Sequence, residues 1–324
     1  MRLPLAVSLA ALALAPLAQA DEFQIAVIPK GTTHEYWKSI NAGAIKAQRE
    51  LKATGTDVTI IWKGPLLEDD REQQIQVVEN FVGRGVSAIV LAPLDNRALV
   101  APVEDAVNAG IPVIVIDSGL LSKKPSSTIA TNNRKGGQIG AKRLGTLLGG
   151  KGRVMMLRYE VGSASTEERE AGFLEVMKSD FPGIELISTD QYGGATRETA
   201  YKASQNLLNR FGATTDGVFA CNESTASGML LALREQGMTG KVKFVGFDAN
   251  EQLVTALKQG EVQGLVVQDP VKMGYLGVMT AVDVLHHKAV EPMIDTGVGL
   301  VTTENMNDPA ISALIHPPLA EYLK

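Results

Sequence analysis

Cysteine is almost absent: Cys221 stands alone in 324 residues. That excludes an intramolecular disulfide framework and any multi-cysteine metal centre. The four histidines are not placed at zinc-ligand spacing, and none is set by sequence to activate Cys221 as a nucleophile. Aromatics are scarce at 5%, against 32 glycines, a balance that suits an α/β architecture better than a sandwich. A basic excess is also missing. Lys and Arg number 31 against 36 Asp and Glu, for a net charge of -5, so no domain-wide positive field is available to neutralise a phosphate backbone. A nucleic-acid role is excluded on that ground. Beyond the N-terminus no apolar run approaches the ~18 residues that would suggest a membrane span.

What is present is enough for packed cores. Hydrophobic residues make up 45% and charged residues 21%, a globular composition. At roughly 150 residues per domain the length suggests two domains. The first twenty residues read as an address. Arg2 is the only charge before Asp21, an Ala/Leu run follows with Pro4, Ser8 and Pro16 in it, and Ala18-Gln19-Ala20 supplies a small-x-small pattern. This predicts a secretory signal peptide cleaved after Ala20 and a periplasmic mature chain that is not membrane-inserted. The run is too short for the ~20 residues of a spanning helix.

Strand and helix patterns then alternate. Residues 23–28, 58–62, 86–91 and 111–116 read as strands, with helices at 35–52, 69–83 and 96–109. Trp37, Ile40, Ala44, Ala47 and Leu51 fall on one helical face. After a loop containing Lys123-Lys124-Pro125 the series restarts. Strands are expected at 153–157, 184–188, 217–220, 242–246, 262–268 and 297–302, and helices at 136–148, 166–179, 197–210, 224–236, 251–259 and 271–287. Two βαβα series of similar size predict two doubly wound parallel-sheet lobes. Ligands of such sheets bind beyond the carboxyl ends of the strands. Those positions hold Lys30 through Trp37, Asp117-Ser118, Arg158-Tyr159-Glu160, Gln191-Tyr192, Cys221-Asn222-Glu223, Phe247-Asp248 and Gln268-Asp269. Amides, carboxylates and rings of this kind can bond hydroxyls and cover the apolar face of a sugar. The residues from Gly145 to Lys151 have phosphate-loop spacing, but Gly152 replaces the required hydroxyl and the segment follows a helix, so this match fails.

Taken in order, Ile25-Ala26-Val27-Ile28, Gly85-Val86-Ser87-Ala88-Ile89, Gly110-Ile111-Pro112-Val113-Ile114 and Gly246-Phe247-Asp248 resemble the periplasmic sugar-binding proteins of the ribose-binding type, which serve ABC importers. The resemblance runs from about Phe23 to Val301. A repressor of the lac type shares this core, but a signal peptide stands where its DNA-binding headpiece would be. The resemblance implies a type I periplasmic binding protein fold with a cleft between two lobes joined by three crossings. The first lobe would comprise residues 21–131 and 269–295, the second 132–268 and 296–324. It implies a monomer that needs no cofactor, has no catalytic residues, binds a small sugar or polyol by hinge closure and delivers it to an inner-membrane ABC permease. A sensor subunit presenting its closed form to a histidine kinase or chemoreceptor is the alternative. An exported enzyme using Asp117 and Asp248 as an acid pair lacks any nucleophile or cofactor signature.

Matching the family's ligand positions residue by residue gives Lys30, His34, and Tyr36 with Trp37 as the stacking pair. Asp117, Asn222, Asp248 and Gln268 follow, with Phe247 as a wall. Three departures stand out. Ser118 and Glu167 occupy positions where ribose binders carry arginine, and Lys30 replaces a serine. Tyr192 lies near the family's aromatic wall, although the strict match is Ala195. Arg169 joins Glu167 either in the site or as an exposed first-turn pair. The departures predict that Lys30, His34 and Glu167 read a polyol other than ribose, or a ligand carrying a charge.

Overall fold

The structure, a computed structural model, describes residues 22–323. The expected signal peptide and its cleavage point lie outside the described residues. The chain builds β1 (Glu22–Ile28), α1 (Glu35–Ala53), β2 (Asp57–Trp62), α2 (Arg71–Arg84), β3 (Ala88–Leu91), α3 (Val100–Asn108), β4 (Val113–Ile116) and β5 (Ser127–Ala130). A second series follows: α4 (Asn133–Leu147), β6 (Gly152–Leu157), α5 (Ala164–Asp180), β7 (Ile184–Ser188), α6 (Arg197–Phe211), β8 (Gly217–Ala220), α7 (Glu223–Glu235), β9 (Lys243–Phe247), α8 (Glu251–Lys258) and β10 (Gly264–Val267). The chain ends with α9 (Pro270–Leu285), β11 (Met293–Asp295), β12 (Gly299–Val301), α10 (Pro309–Ile315) and α11 (Leu319–Tyr322).

These strands form two six-stranded sheets, ordered β11-β5-β4-β3-β1-β2 and β12-β10-β9-β8-β6-β7. The first is parallel throughout; in the second only β12 runs antiparallel, against β10. Successive side chains on a strand point to opposite faces, and both faces are covered. Ile25 and Val27 pack toward α1 and α9, while Ala26 and Ile28 pack toward α2 and α3. In the second sheet Met155 and Leu157 face the α6–α8 side, and Val154 and Met156 face α4 and α5. Apolar runs such as Val113 to Ile116 are buried at every residue for this reason.

The chain changes sheet between β5 and α4, between β10 and α9, and between β11 and β12. The last segment goes further. Ile311, Leu314 and Ile315 of α10 pack on the second lobe's core. The chain then crosses at Pro317-Pro318, and α11 lies against α1 of the first lobe. There Arg49 donates to the carbonyls of Glu321 at 2.9 Å and Tyr322 at 3.4 Å.

Several sequence expectations shift. β5, β11, α10 and α11 fall in stretches read as loop or left unassigned. The helix expected at 96–109 begins only at Val100, because Asp95 Oδ1 accepts from the backbone of Arg97 and Ala98, both at 2.8 Å, and holds a turn there. Two helix pairs approach to backbone contact through glycine. A Cβ on Gly274 of α9 would lie 1.9 Å from the Ile40 carbonyl oxygen of α1. One on Gly137 of α4 would lie 1.8 Å from the Arg169 carbonyl oxygen of α5. Each contact seats a helix whose first turns reach the cleft.

Candidate functional site

The carboxyl ends of both sheets face one another, and polar side chains meet between them. Lys30, just after β1, is 3% exposed; its Nζ lies 3.2 Å from Asp117 Oδ2. The same ammonium donates across the cleft to Ser163 and Ser165, each at 3.3 Å. Tyr36 in the first turn of α1 donates to Asp117 Oδ1 at 2.7 Å. Burial, then the Asp117 charge, pushes the Tyr36 phenol well above its ordinary value, so it stays a donor.

Glu68, in the loop after β2, collects three donors: His34 Nδ1 and Tyr159 OH at 2.6 Å, and Trp37 Nε1 at 2.8 Å. Burial alone would raise its pKa, but the bonds from His34, Tyr159 and Trp37 outweigh burial and hold it below the ordinary range. His34 shows the complement: burial would lower its pKa, and the bond and charge of Glu68 raise it above 6.5 instead. Tyr159 belongs to the second lobe, so Glu68 ties the lobes together. Two more links close the mouth, Ser165 N to Ser118 Oγ at 3.1 Å and Asn96 N to Gly162 O at 2.9 Å.

On the second lobe, Arg169 is only 2% exposed. Its Nε donates to Asn133 Oδ1 at 2.8 Å, its Nη1 donates to the Cys221 carbonyl at 3.1 Å, and its guanidinium lies 3.8 Å above the Phe247 ring. Asp248 follows β9 at φ 67°, a left-handed conformation that Asp tolerates better than most residues. Its Oδ2 stands 3.8 Å from Arg169 Nη1, and its Oδ1 accepts from Gln268 Nε2 at 2.7 Å. Burial raises the Asp248 carboxyl to about 6, against the opposing pull of Arg169 and Gln268. The helix that follows is capped by Asn250, whose Oδ1 accepts from Leu253 N at 2.9 Å, leaving Asp248 free of a capping role. Asn222 caps α7 instead, accepting from Thr225 N at 3.2 Å. Glu223 pairs with Arg197 and accepts from Asn250 Nδ2 at 2.9 Å; its second oxygen has no partner.

The candidates divide clearly. Lys30, His34, Tyr36, Trp37, Asp117, Arg169, Asn222, Asp248 and Gln268 all line one cavity between the lobes. Four others lie off it. Glu167 is turned into its own loop, where its Oε1 accepts from Gly162 N at 2.9 Å. Tyr192 lies beneath Arg158, 4.6 Å from its guanidinium. Phe247 is fully buried under Arg169, and Ser118 serves the interlobe bond to Ser165. Burial excludes an exposed first-turn role for Arg169. Tyr36 and Trp37 are perpendicular, at 88°, with Trp37 anchored in the first lobe's core, so they do not offer two parallel faces to one ring. Glu68, Tyr159, Ser165, Thr166 and Glu223 also line the cavity and were not among the sequence candidates. Tyr159 and Glu223 stand in post-strand segments already singled out, Ser165 and Thr166 open the helix that follows β6, and the loop after β2 follows the same rule.

Parallel sheets facing one another across a polar, two-sided cleft, joined by three crossings, decide the family. The periplasmic binding protein domain matches residues 25–289. The chain belongs to that family. Among similar periplasmic binding proteins is a D-ribose/D-allose-binding protein of Pseudomonas aeruginosa, 30% identical over 86% of this chain and 88% of its own. A solved carbohydrate-transporter solute-binding protein from Agrobacterium radiobacter, in complex with D-arabinose, is 38% identical with a TM-score of 0.85, covering 91% of this chain and 99% of that one. An ABC transporter solute-binding protein from Agrobacterium vitis with bound D-fucose is 34% identical with a TM-score of 0.86, covering 90% and 100%. None of the helices among the described residues is long and apolar enough to cross a membrane.

Proposed function

We propose that this protein is the solute-binding component of an ABC importer. It captures a neutral monosaccharide or polyol between its lobes and presents the closed form to an inner-membrane permease. The observation that carries the neutral ligand is charge balance. Four acids at the cleft each face a basic side chain: Asp117 with Lys30, Glu68 with His34, Asp248 with Arg169, and Glu223 with Arg197. A charged ligand would break a buried pair, which costs several kcal/mol. A hydroxyl can donate to one of these carboxylates and accept from its partner without removing either charge. Lys30 and His34 thus act as basic partners that orient carboxylate acceptors, and Glu167 has no part in recognition.

In the closed arrangement the side chains largely bond one another, and the pocket they leave has a volume of about 30 Å³. A sugar ring seats there by exchanging those bonds for its own hydroxyls as the lobes part and reclose. Contacts from both lobes then favour the closed population. The sugar ligands named for the relatives support the class. The protein works as a monomer in the periplasm after cleavage behind Ala20, without a cofactor and without catalysis.

The test is a thermal-shift panel on protein unfolded and refolded to strip carried ligand. Pentoses, hexoses, inositols and linear polyols are compared with amino-sugar and sugar-acid variants. A micromolar ligand, worth about 8 kcal/mol of binding, adds about 4 kcal/mol of stability at a thousand times its Kd. The expected result is a shift of several degrees with one or a few neutral compounds. Shifts confined to charged variants, or to none, overturn the reading.

A further inference from the structure

The inner pocket is not the only space between the lobes. Beside it lies an outer chamber with a volume of about 320 Å³, against about 30 Å³ for the inner pocket. Tyr36, Asp248 and Gln268 line both. We infer that the ligand is a substituted sugar or polyol: its ring occupies the inner pocket, and a second hydroxylated unit, as in a glycoside, lies in the outer chamber. This rests on the reading of the inner pocket as a sugar site.

Three observations support it. First, Gln268 is 4% exposed, and while its Nε2 is committed to Asp248, its Oε1 has no hydrogen-bond partner. A buried amide oxygen left unpaired is costly, and here it belongs to a residue of the wall common to both spaces, where a ligand hydroxyl flanking the linkage can donate to it. Second, both lobes build the chamber. Glu35 and Ser39 come from the first, joined by Leu319 where α11 returns to α1, and Asn250, Glu251 and Leu314 come from the second. A group held there gains contacts only when the lobes are closed, so it adds to the closing force. Third, the lining selects chemistry. Glu35 and Glu251 supply acceptors, while Leu314, Pro317 and Leu319 supply an apolar side, the two-faced surface a sugar offers. No lysine or arginine lines it, which disfavours a phosphate or carboxylate substituent.

The experiment is calorimetry on the refolded protein. D-arabinose, D-fucose and D-allose are compared with their glyceryl and glucosyl glycosides, whose aglycones carry hydroxyls, in both anomers. The expected result is at least one glycoside binding about tenfold more tightly than its parent. Ser39→Phe, which fills the chamber from α1, should erase that factor and leave the parent's affinity unchanged. Leu314→Trp, on the second lobe's wall, gives the same readout if Ser39→Phe does not fold. Parents that bind while every glycoside binds equally or less overturn the inference alone, as does a glycoside advantage that survives both filling variants. Silence from parents and glycosides together overturns the sugar reading, and this inference with it.

Discussion

Asp117 and Asp248 end corresponding strands of the two sheets, and both sit at positive φ, 65° and 67°. Each donates its backbone N–H to the neighbouring strand, Asp117 to Ile129 O at 3.0 Å and Asp248 to Val266 O at 2.7 Å. The backbones are thus equivalent, but the side chains are not. Asp117 has an ammonium at 3.2 Å and a phenol at 2.7 Å, both from its own lobe. Asp248 has its cation at 3.8 Å and an amide at 2.7 Å. The same strand-end geometry therefore holds one aspartate tightly and leaves the other with an oxygen more open to a ligand. The first lobe anchors its acid, and the second keeps its acid available.

The largest test of that contrast is removal of each acid. Asp117→Ala strands a buried Lys30 and should cost about 3–5 kcal/mol of folding stability in urea denaturation. Asp248→Ala should cost about 1–3 kcal/mol, because Arg169 keeps Asn133, the Cys221 carbonyl and the Phe247 ring. Equal losses would break the comparison. A sharper version asks what seats each lobe's helices. Gly274→Ala and Gly137→Ala both force a Cβ into backbone, and each should lose at least about 1–3 kcal/mol. The residue struck by Gly137→Ala is Arg169 itself. Calorimetry should therefore record the greater loss of sugar affinity with Gly137→Ala, and an equal loss would place the guanidinium outside recognition.

The smallest effect is the pH dependence. The folded pKa of Asp248, about 6, lies above its ordinary 3.8. Its ionisation thus costs folding stability that is absent below pH 3.8 and fully felt above 6. Ligand hydroxyls donating to the ionised form reverse part of that cost. Sugar affinity should fall as pH drops through 6, by up to about tenfold per pH unit. Asp248→Asn should flatten this profile, and an unchanged slope in that variant would assign the titration elsewhere.

Particular residues explain what could be read early. The apolar runs around Ile25, Val90, Ile114 and Val266 mark strands because both sheet faces are buried, and the polar residues that follow them mark the cleft. β5, with the sequence Ser127 to Ala130, and the three residues of β11 carry no such run. They are strands because neighbours pair with them, not because of their own pattern. The helices after Val301 escaped for a similar reason: α10 is anchored by the second lobe's core, and α11 by Arg49, far away in sequence. Tyr192 follows a strand as Tyr36 does and Phe247 closes β9, and nothing local distinguishes a ring turned under an arginine from one facing the cavity.

The sequence by itself determined the two βαβα series, the parallel sheets and the strand ends at which polar side chains collect, because these follow from periodicity among near neighbours. Only the tertiary structure decided which of those side chains meet. Lys30 reaches Ser163 across 133 positions and Tyr159 reaches Glu68 across 91. Such partners are chosen by the placement of one sheet against the other, whereas each cleft acid meets its basic partner within its own lobe, where that lobe's own strand-end loops and helices converge.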